Sequence, residues 1–209
     1  MVRLRVRIRF TKQGDLRLIG HRDLMRCFEW VFRRAGLALS FSQGFHPKPR
    51  MTFPSALAVG IEGLNEVMEV ELAKAADTED ILRRLRLHAP PGLVFLAAEA
   101  LPEGSRKVRV HSVCYEASIP APQPGLQERI DSVLSAAAWP FVRPNRSAAI
   151  DLRPPIRSLS YSGGTLAMRL DCAAVGGNAG PRDVLAVLGM EDLERRGGRL
   201  RRTAVEVCQ

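Results

Sequence analysis

The sequence predicts an α+β protein built from two tandem ferredoxin-like (βαββαβ) units. Three observations predict it: a strict period-two opening, helical spacing in two segments of each half, and the order strand, helix, strand, strand, helix, strand met twice along the chain. With 209 residues, 46% of them hydrophobic and 25% charged, there is apolar material for a true core.

Residues 2–10 set Val2, Leu4, Val6, Ile8 and Phe10 against Arg3, Arg5, Arg7 and Arg9, the signature of a strand with one apolar and one cationic face. Gln13-Gly14-Asp15 is a turn, Leu16–Ile19 a short strand, and 21–35 a helix that Gly36 ends. Leu24, Phe28, Val31 and Ala35 form the helix's apolar stripe, while Arg22, Arg26, Glu29 and Arg33 lie opposite. Residues 40–54 carry Gly44 and three prolines and read as a loop. A strand over 66–72, a helix with Thr78 as its cap and Ile81, Leu82 and Leu85 inside, and a strand over 93–98 complete the unit.

Pro102-Glu103-Gly104-Ser105 breaks the pattern, giving an expected basic domain at 1–102 and a second domain at 103–209. In that second half the expected elements are a strand over 108–119, a helix over 126–137, strands over 148–159 and 165–172 around the Ser162-Gly163-Gly164 turn, a helix after Pro181 and a strand over 200–207. The Gly176–Gly180 run has no lysine after it and reads as a flexible loop rather than a phosphate cradle.

Charge is distributed unevenly. Residues 1–60 hold 12 Lys or Arg against Asp15, Asp23 and Glu29, which accounts for the whole formal net charge of +9, and the other 149 residues balance 19 basic with 19 acidic side chains. Such a localised field attracts polyanions, with counterion release adding to affinity. The alternate arginines of the first strand stand about 6.6 Å apart, close to a phosphate spacing. The 40–54 loop interleaves Phe41, Phe45 and Phe53 with His46, Lys48 and Arg50, a composition suited to stacking on unpaired bases, although a Phe there can equally anchor the loop to the core. Glu62, Glu66, Glu69 and Glu71 read as a solvated acidic face or one that meets a basic partner.

No apolar run reaches the roughly 18 residues a spanning helix needs, and alternating arginines at the start are not a secretory signal, so a cytoplasmic protein without membrane contact is expected. Cys27, Cys114, Cys172 and Cys208 are too dispersed for a structural zinc site, a redox pair or an iron–sulfur cluster. The expectation is therefore of no metal and no cofactor.

Gly14, His21, Asp23-Leu24, Arg33-Arg34-Ala35 and the run from Ser42 to Arg50 (Ser-Gln-Gly-Phe-His-Pro-Lys-Pro-Arg) carry a resemblance, extended by Asp151-Leu152-Arg153-Pro154 and Arg201-Arg202-Thr203. The chain resembles the radical-SAM-linked (radical-SAM-associated) family, whose members are encoded beside, or fused to, radical SAM proteins. Gly20 departs from the serine expected before the histidine. The resemblance implies a radical SAM enzyme as partner and supplies no catalytic residues. This chain has no radical SAM cysteine cluster, so radical chemistry would belong to the partner.

The expected function is that of an accessory protein rather than an enzyme, binding structured or looped RNA, ribosomal or transfer RNA among the options, for a radical SAM enzyme. Its expected contacts are Arg3, Arg5, Arg7, Arg9, Lys12, Arg22, Arg26, Arg33, Phe45, His46, Lys48 and Arg50. Two alternatives stay open: docking on the partner protein without RNA, and a metal-independent endoribonuclease using His21 and His46 as acid and base. A metal held by His21, Asp23 and His46 is not expected, because two of the three sit within one turn of the helix.

Overall fold

A computed structural model describes residues 4–144, 147–172 and 179–208 of the chain. Arg3 and the Gly176-Gly177-Asn178 part of the glycine run lie outside the described residues. The fold is α+β, and the chain divides into two compact units, Met1–Arg109 and Val110–Cys208. The division falls later than the Pro102 break because Arg5 ties Ser105 and Arg106 back to the first strand. Its guanidinium donates to the carbonyls of Ser105 (2.7 Å) and Arg106 (3.2 Å), and its own carbonyl accepts from the Leu101 N–H (2.8 Å).

In the first unit β1 (Leu4–Lys12) sits between β4 (Leu93–Ala100) and β3 (Glu62–Leu72), with β2 (Met51–Thr52) added to β3, every pairing antiparallel. Period-two patterning turns Val6, Ile8 and Phe10 to one side, where none is more than 1% exposed. They share a core with Leu24, Phe28, Val31 and Phe32 of α1 (His21–Arg34) and Ile81, Leu82 and Leu85 of α2 (Thr78–His88). Phe28 is its hub, with rings of Phe10, Phe53 and Phe95 edge-on at 4.9, 5.4 and 5.7 Å.

Helix α1 ends as its Gly36 predicts. With Gly36 at φ +65°, its N–H donates to the Arg33 carbonyl (3.1 Å) and the Leu37 N–H to that of Phe32 (3.0 Å), the paired bonds of a Schellman stop. Arg84 of α2 adds a third tie, donating to the Ala35 carbonyl at 2.8 Å.

Local differences from the sequence reading have local causes. Leu16–Ile19 is not a strand: a 3-10 helix spans Gly14–Leu18, closed by the Ile19 N–H on the Leu16 carbonyl (3.2 Å) and by Arg17 on the Gly14 carbonyl (2.8 Å). Asp77, not Thr78, caps α2, its carboxylate accepting from the Asp80 N–H at 3.1 Å. Strand β3 begins at Glu62 rather than 66, because the unbroken register with β1 reaches from Leu4↔Leu72 to Phe10↔Glu66 and continues past a bulge to Lys12↔Gly63.

The second unit contains β5 (Arg109–Ser118), α3 (Leu126–Ser135), a hairpin of β6 (Pro140–Val142) and β7 (Ala149–Asp151), β8 (Ile156–Ser162), β9 (Thr165–Asp171), α4 (Pro181–Val187) and β10 (Leu200–Cys208). Its main sheet runs β10-β5-β9-β8. The single strand expected over 148–159 is split into β7 and β8, and the Asp151-Leu152-Arg153-Pro154 motif does the splitting. Asp151 accepts from the backbone N–H groups of Trp139 (2.7 Å) and Arg153 (3.0 Å), which hold its carboxyl below the usual range. Arg153 in turn donates to the Leu134 carbonyl near the end of α3 and to that of Ile156. This motif therefore builds structure. No helix among the described residues is long and apolar enough to cross a membrane.

Gly36→Ala tests the α1 stop. A Cβ in the left-handed region costs about 1–2 kcal/mol, so the urea midpoint should fall by the corresponding amount with an unchanged slope. A midpoint equal to that of the parent protein would show that the turn does not constrain the helix.

Candidate nucleic-acid interface

Opposite its apolar face, β1 presents Arg5, Arg7 and Arg9, and the β3 register sets Glu71, Glu69 and Val67 directly across from them. Glu69 is only 3% exposed and accepts from both Arg5 and Arg7, with the Arg7 bonds at 3.2 and 3.0 Å. Glu99 of β4 flanks Arg7 on the other side at 3.9 Å. Arg9 donates to the Asn65 side-chain oxygen (3.1 Å), and Lys12, 1% exposed, donates to the Ile19 carbonyl (2.8 Å).

Two expectations are corrected here. The arginine row is not an unbalanced, solvent-facing track, and Glu62, Glu66 and Glu69 are not a solvated acidic face, being 8, 4 and 3% exposed. Glu69 and Glu71 stand across from Arg7 and Arg5, where residues directly opposite on neighbouring strands meet and like charges would repel, whereas Glu66 stands across from Phe10 and Glu62 accepts from the Gly14 N–H at 3.3 Å. Breaking such a buried pair costs about 3–5 kcal/mol, which is too much to free Arg5 and Arg7 for a ligand.

Net positive charge survives elsewhere in the unit, since residues 1–109 hold 19 Lys or Arg against 12 Asp or Glu. Arg22, Arg26, Arg33 and Arg34 are exposed on α1. Arg22, Arg26, Trp30 and Arg33 follow one another at helical spacing, so they line one stripe. The Arg26–Asp23 pair is 3.5 Å long with both side chains mostly exposed. A pair of that kind contributes about 0–1 kcal/mol and leaves Arg26 available. Trp30, 60% exposed, carries the Arg33 guanidinium over its ring at 5.0 Å.

The 40–54 loop is irregular only at its tip. Its base is laddered: Arg50 N–H to the Ser40 carbonyl, Phe41 bridged to Pro49, and Ser42 N–H to the Lys48 carbonyl, with the Lys48 N–H returning to the Ser42 hydroxyl at 3.0 Å. Ser40 N–H and the Arg50 carbonyl then stitch this base to Glu71 of β3. Arg50 belongs to the scaffold, donating to the Phe41 carbonyl (3.3 Å) and pairing with Glu71 (3.5 Å). Gly44 turns the tip at φ +126°.

The three loop phenylalanines divide. Phe53 packs into the core against Phe10 and Phe28, Phe41 is 50% exposed, and Phe45 is fully exposed between the turn and exposed His46 and Lys48. A groove of about 510 Å³ opens beside the loop, lined among others by Glu29, Trp30, Arg33, Leu39, Phe41 and Pro49. Trp30 is absent from the contacts expected from sequence; its signal there is an aromatic residue on the charged stripe of an otherwise amphipathic helix.

His21 is exposed at the start of α1 with its ring edge-on to Phe53 at 5.3 Å, and His46 is exposed on the loop tip. Among the described residues neither imidazole makes a hydrogen bond or an ion pair, and no group of three or more His, Cys, Asp or Glu side chains is placed to hold a metal. The four cysteines are free, and burial pushes the Cys27, Cys114 and Cys172 thiols up, which keeps them protonated at neutral pH.

Glu69→Ala leaves two guanidinium groups without their shared carboxylate. It should lower unfolding free energy by about 3 kcal/mol in urea titration, and a loss under about 1 kcal/mol would place the arginines' partners elsewhere.

No curated protein matches the chain. Among solved structures it is similar to an unknown protein from Galdieria sulphuraria, at 14% identity over 100% of both chains with a TM-score of 0.30. It is also similar to a candidate glycine cleavage system transcriptional repressor, at 9% identity over 96% of this chain and 97% of that one with a TM-score of 0.27. Likenesses this distant carry no argument about fold or function. The family model for uncharacterized proteins conserved in bacteria (DUF2344) matches residues 5–181, most of the chain, and the protein belongs to that family.

Proposed function

We propose that the protein binds single-stranded or looped RNA through α1 and the 40–54 loop, as an accessory subunit that presents this RNA to a radical SAM enzyme. The observation that carries the reading is Phe45. A fully exposed phenyl ring held on a turn, beside exposed Lys48 and in the same unit as an arginine-bearing helix, offers a stacking face together with phosphate-binding cations. Stacking of a base on an aromatic ring contributes about 1–3 kcal/mol and tolerates any base, so the loop suits unpaired nucleotides rather than a duplex.

The scaffold supports the same reading. The main strands of each unit lie in the spatial order fourth, first, third, second, with a helix after the first strand and another before the last, and we read both units as ferredoxin-like. In the first unit the sheet face carrying Arg5, Arg7 and Arg9 is occupied by its own polar partners, which shifts the RNA contacts expected from sequence to Arg22, Arg26, Arg33, Phe45, His46 and Lys48. The radical SAM partner is implied by the resemblance of the Ser42–Arg50 run and its companions; it supplies the reaction, and this chain supplies the substrate's position.

Phe45→Ala together with Lys48→Ala should weaken binding of a labelled, unstructured oligoribonucleotide at least tenfold in fluorescence anisotropy, since about 1.4 kcal/mol is tenfold. The parent protein should show a slope of log affinity against log salt of about −3 if Arg22, Arg26, Arg33 and Lys48 each neutralise one phosphate, at roughly −0.7 per contact on single strands. Undiminished affinity in the double variant would overturn the RNA reading. Retention of the radical SAM enzyme on the nuclease-treated protein, with no oligonucleotide bound, would favour direct protein docking instead.

A further inference from the structure

The groove beside α1 contains more than a stacking surface. Its walls combine Trp30, with Arg33 layered on the indole at 5.0 Å, the half-exposed ring of Phe41, and the apolar edges of Leu39 and Pro49. Its volume of about 510 Å³ falls within the roughly 300–1,000 Å³ usual for small-molecule sites, so a single purine can enter. One acidic side chain lines it, Glu29, one residue before Trp30 on the same helix, and among the described residues Glu29 makes no ion pair, although Arg33 is four residues on.

A carboxylate only accepts hydrogen bonds, and it accepts two in parallel from a pair of adjacent N–H donors. Of the four RNA bases, guanine alone presents two adjacent donors on its pairing edge, the ring N1–H and the exocyclic N2 amino group. Adenine offers an acceptor beside its amino group, and the pyrimidines also place an acceptor where the second donor is needed. A carboxylate beside a phosphate chain repels it unless the ligand donates to that carboxylate, so Glu29 favours a base that carries paired donors over one that does not. Arg33, which supplies the cationic layer of the stack, offsets that charge.

We infer that the Trp30 groove is a guanine pocket: it takes one unpaired guanine, stacked on the Trp30–Arg33 layer and Phe41, with its N1–H and N2 amino group donating to Glu29. This rests on the proposed RNA function and names the base that the site selects, where the Phe45 tip selects none.

Two uridine nonamers, one with guanine and one with adenine at the centre, test it on the full-length chain. The parent protein should bind the guanine oligomer about tenfold more tightly by anisotropy. Glu29→Gln should remove that preference, bringing the two affinities within about twofold, and Trp30→Ala should weaken both oligomers. In a Trp139→Phe background the remaining indole fluorescence should be quenched more strongly by the guanine oligomer. Equal affinities in the parent protein, or a preference that survives Glu29→Gln, would overturn the guanine pocket while leaving RNA binding standing. Failure of the parent protein to bind either oligomer would overturn the RNA reading itself and the pocket with it. Glu29 and Trp30 lie outside the core, and circular dichroism matching the parent protein confirms that the variants are folded.

Discussion

The carboxylate of Glu69, buried between Arg5 and Arg7, is the interaction on which the first unit's organisation depends. Cationic side chains at every second position of β1 would repel one another and draw the strand's polar face towards solvent. The β3 register cancels that tendency by setting Glu71 and Glu69 across from Arg5 and Arg7, and β4 sets Glu99 across from Arg7 on its other edge. A slip of one residue would bring the glutamates to the apolar side and Met68 and Val70 to the charged side. Charge and hydrophobic pattern thus specify one register, and the surrounding geometry depends on it. Arg5 fixes Ser105 and Arg106, and Glu71 fixes Arg50 and the base of the loop.

That arrangement separates the charges that build the fold from those that face outward. Buried pairs are expensive to open, so Arg5 and Arg7 have no freedom to exchange a carboxylate for a phosphate. The exposed cations of α1 have little to lose, because a solvated pair such as Arg26–Asp23 is nearly neutral in free energy. The asymmetry of charge along the sequence is real, yet its outward expression lies on the helix and the loop rather than on the strand.

Much of the fold was legible in the sequence because it rests on short-range periodicity. The amphipathic stripe of α1, the Gly36 stop, the apolar run of α2 and the Gly163-Gly164 hairpin are each encoded within a few residues. The identity of a strand's partner is not. Arg7 faces Glu69 across 62 positions of sequence, and a count of charges in the first 60 residues ends just before the acids that neutralise them. The division of Phe41, Phe45 and Phe53 into exposed and buried was equally illegible, since it depends on the ladder from Ser40/Arg50 to Ser42/Lys48, which composition records only as a loop. Asp151 and Arg153 were visible as a motif, but their role in turning β7 away from β8 is carried by backbone groups that no residue pattern displays.

The loop's construction bears on how a ligand would meet it. A phenyl ring held in water forgoes the roughly 1.5–3 kcal/mol that burial would supply, and Phe53 shows that this core can take a ring from the same loop. Phe45 stays in solvent above a closed base: main-chain bonds at Ser40, Ser42 and Arg50 fix the strands of the loop, and Gly44 takes φ +126° at the tip. The order of the base is already present in the protein alone, so the entropy of arranging those strands is not subtracted from the binding free energy. A flexible loop with the same residues would stack on a base as well, but more weakly. The ordered base that carries Phe45 in solvent is therefore the feature that favours reading it as a binding element rather than a stray exposed residue.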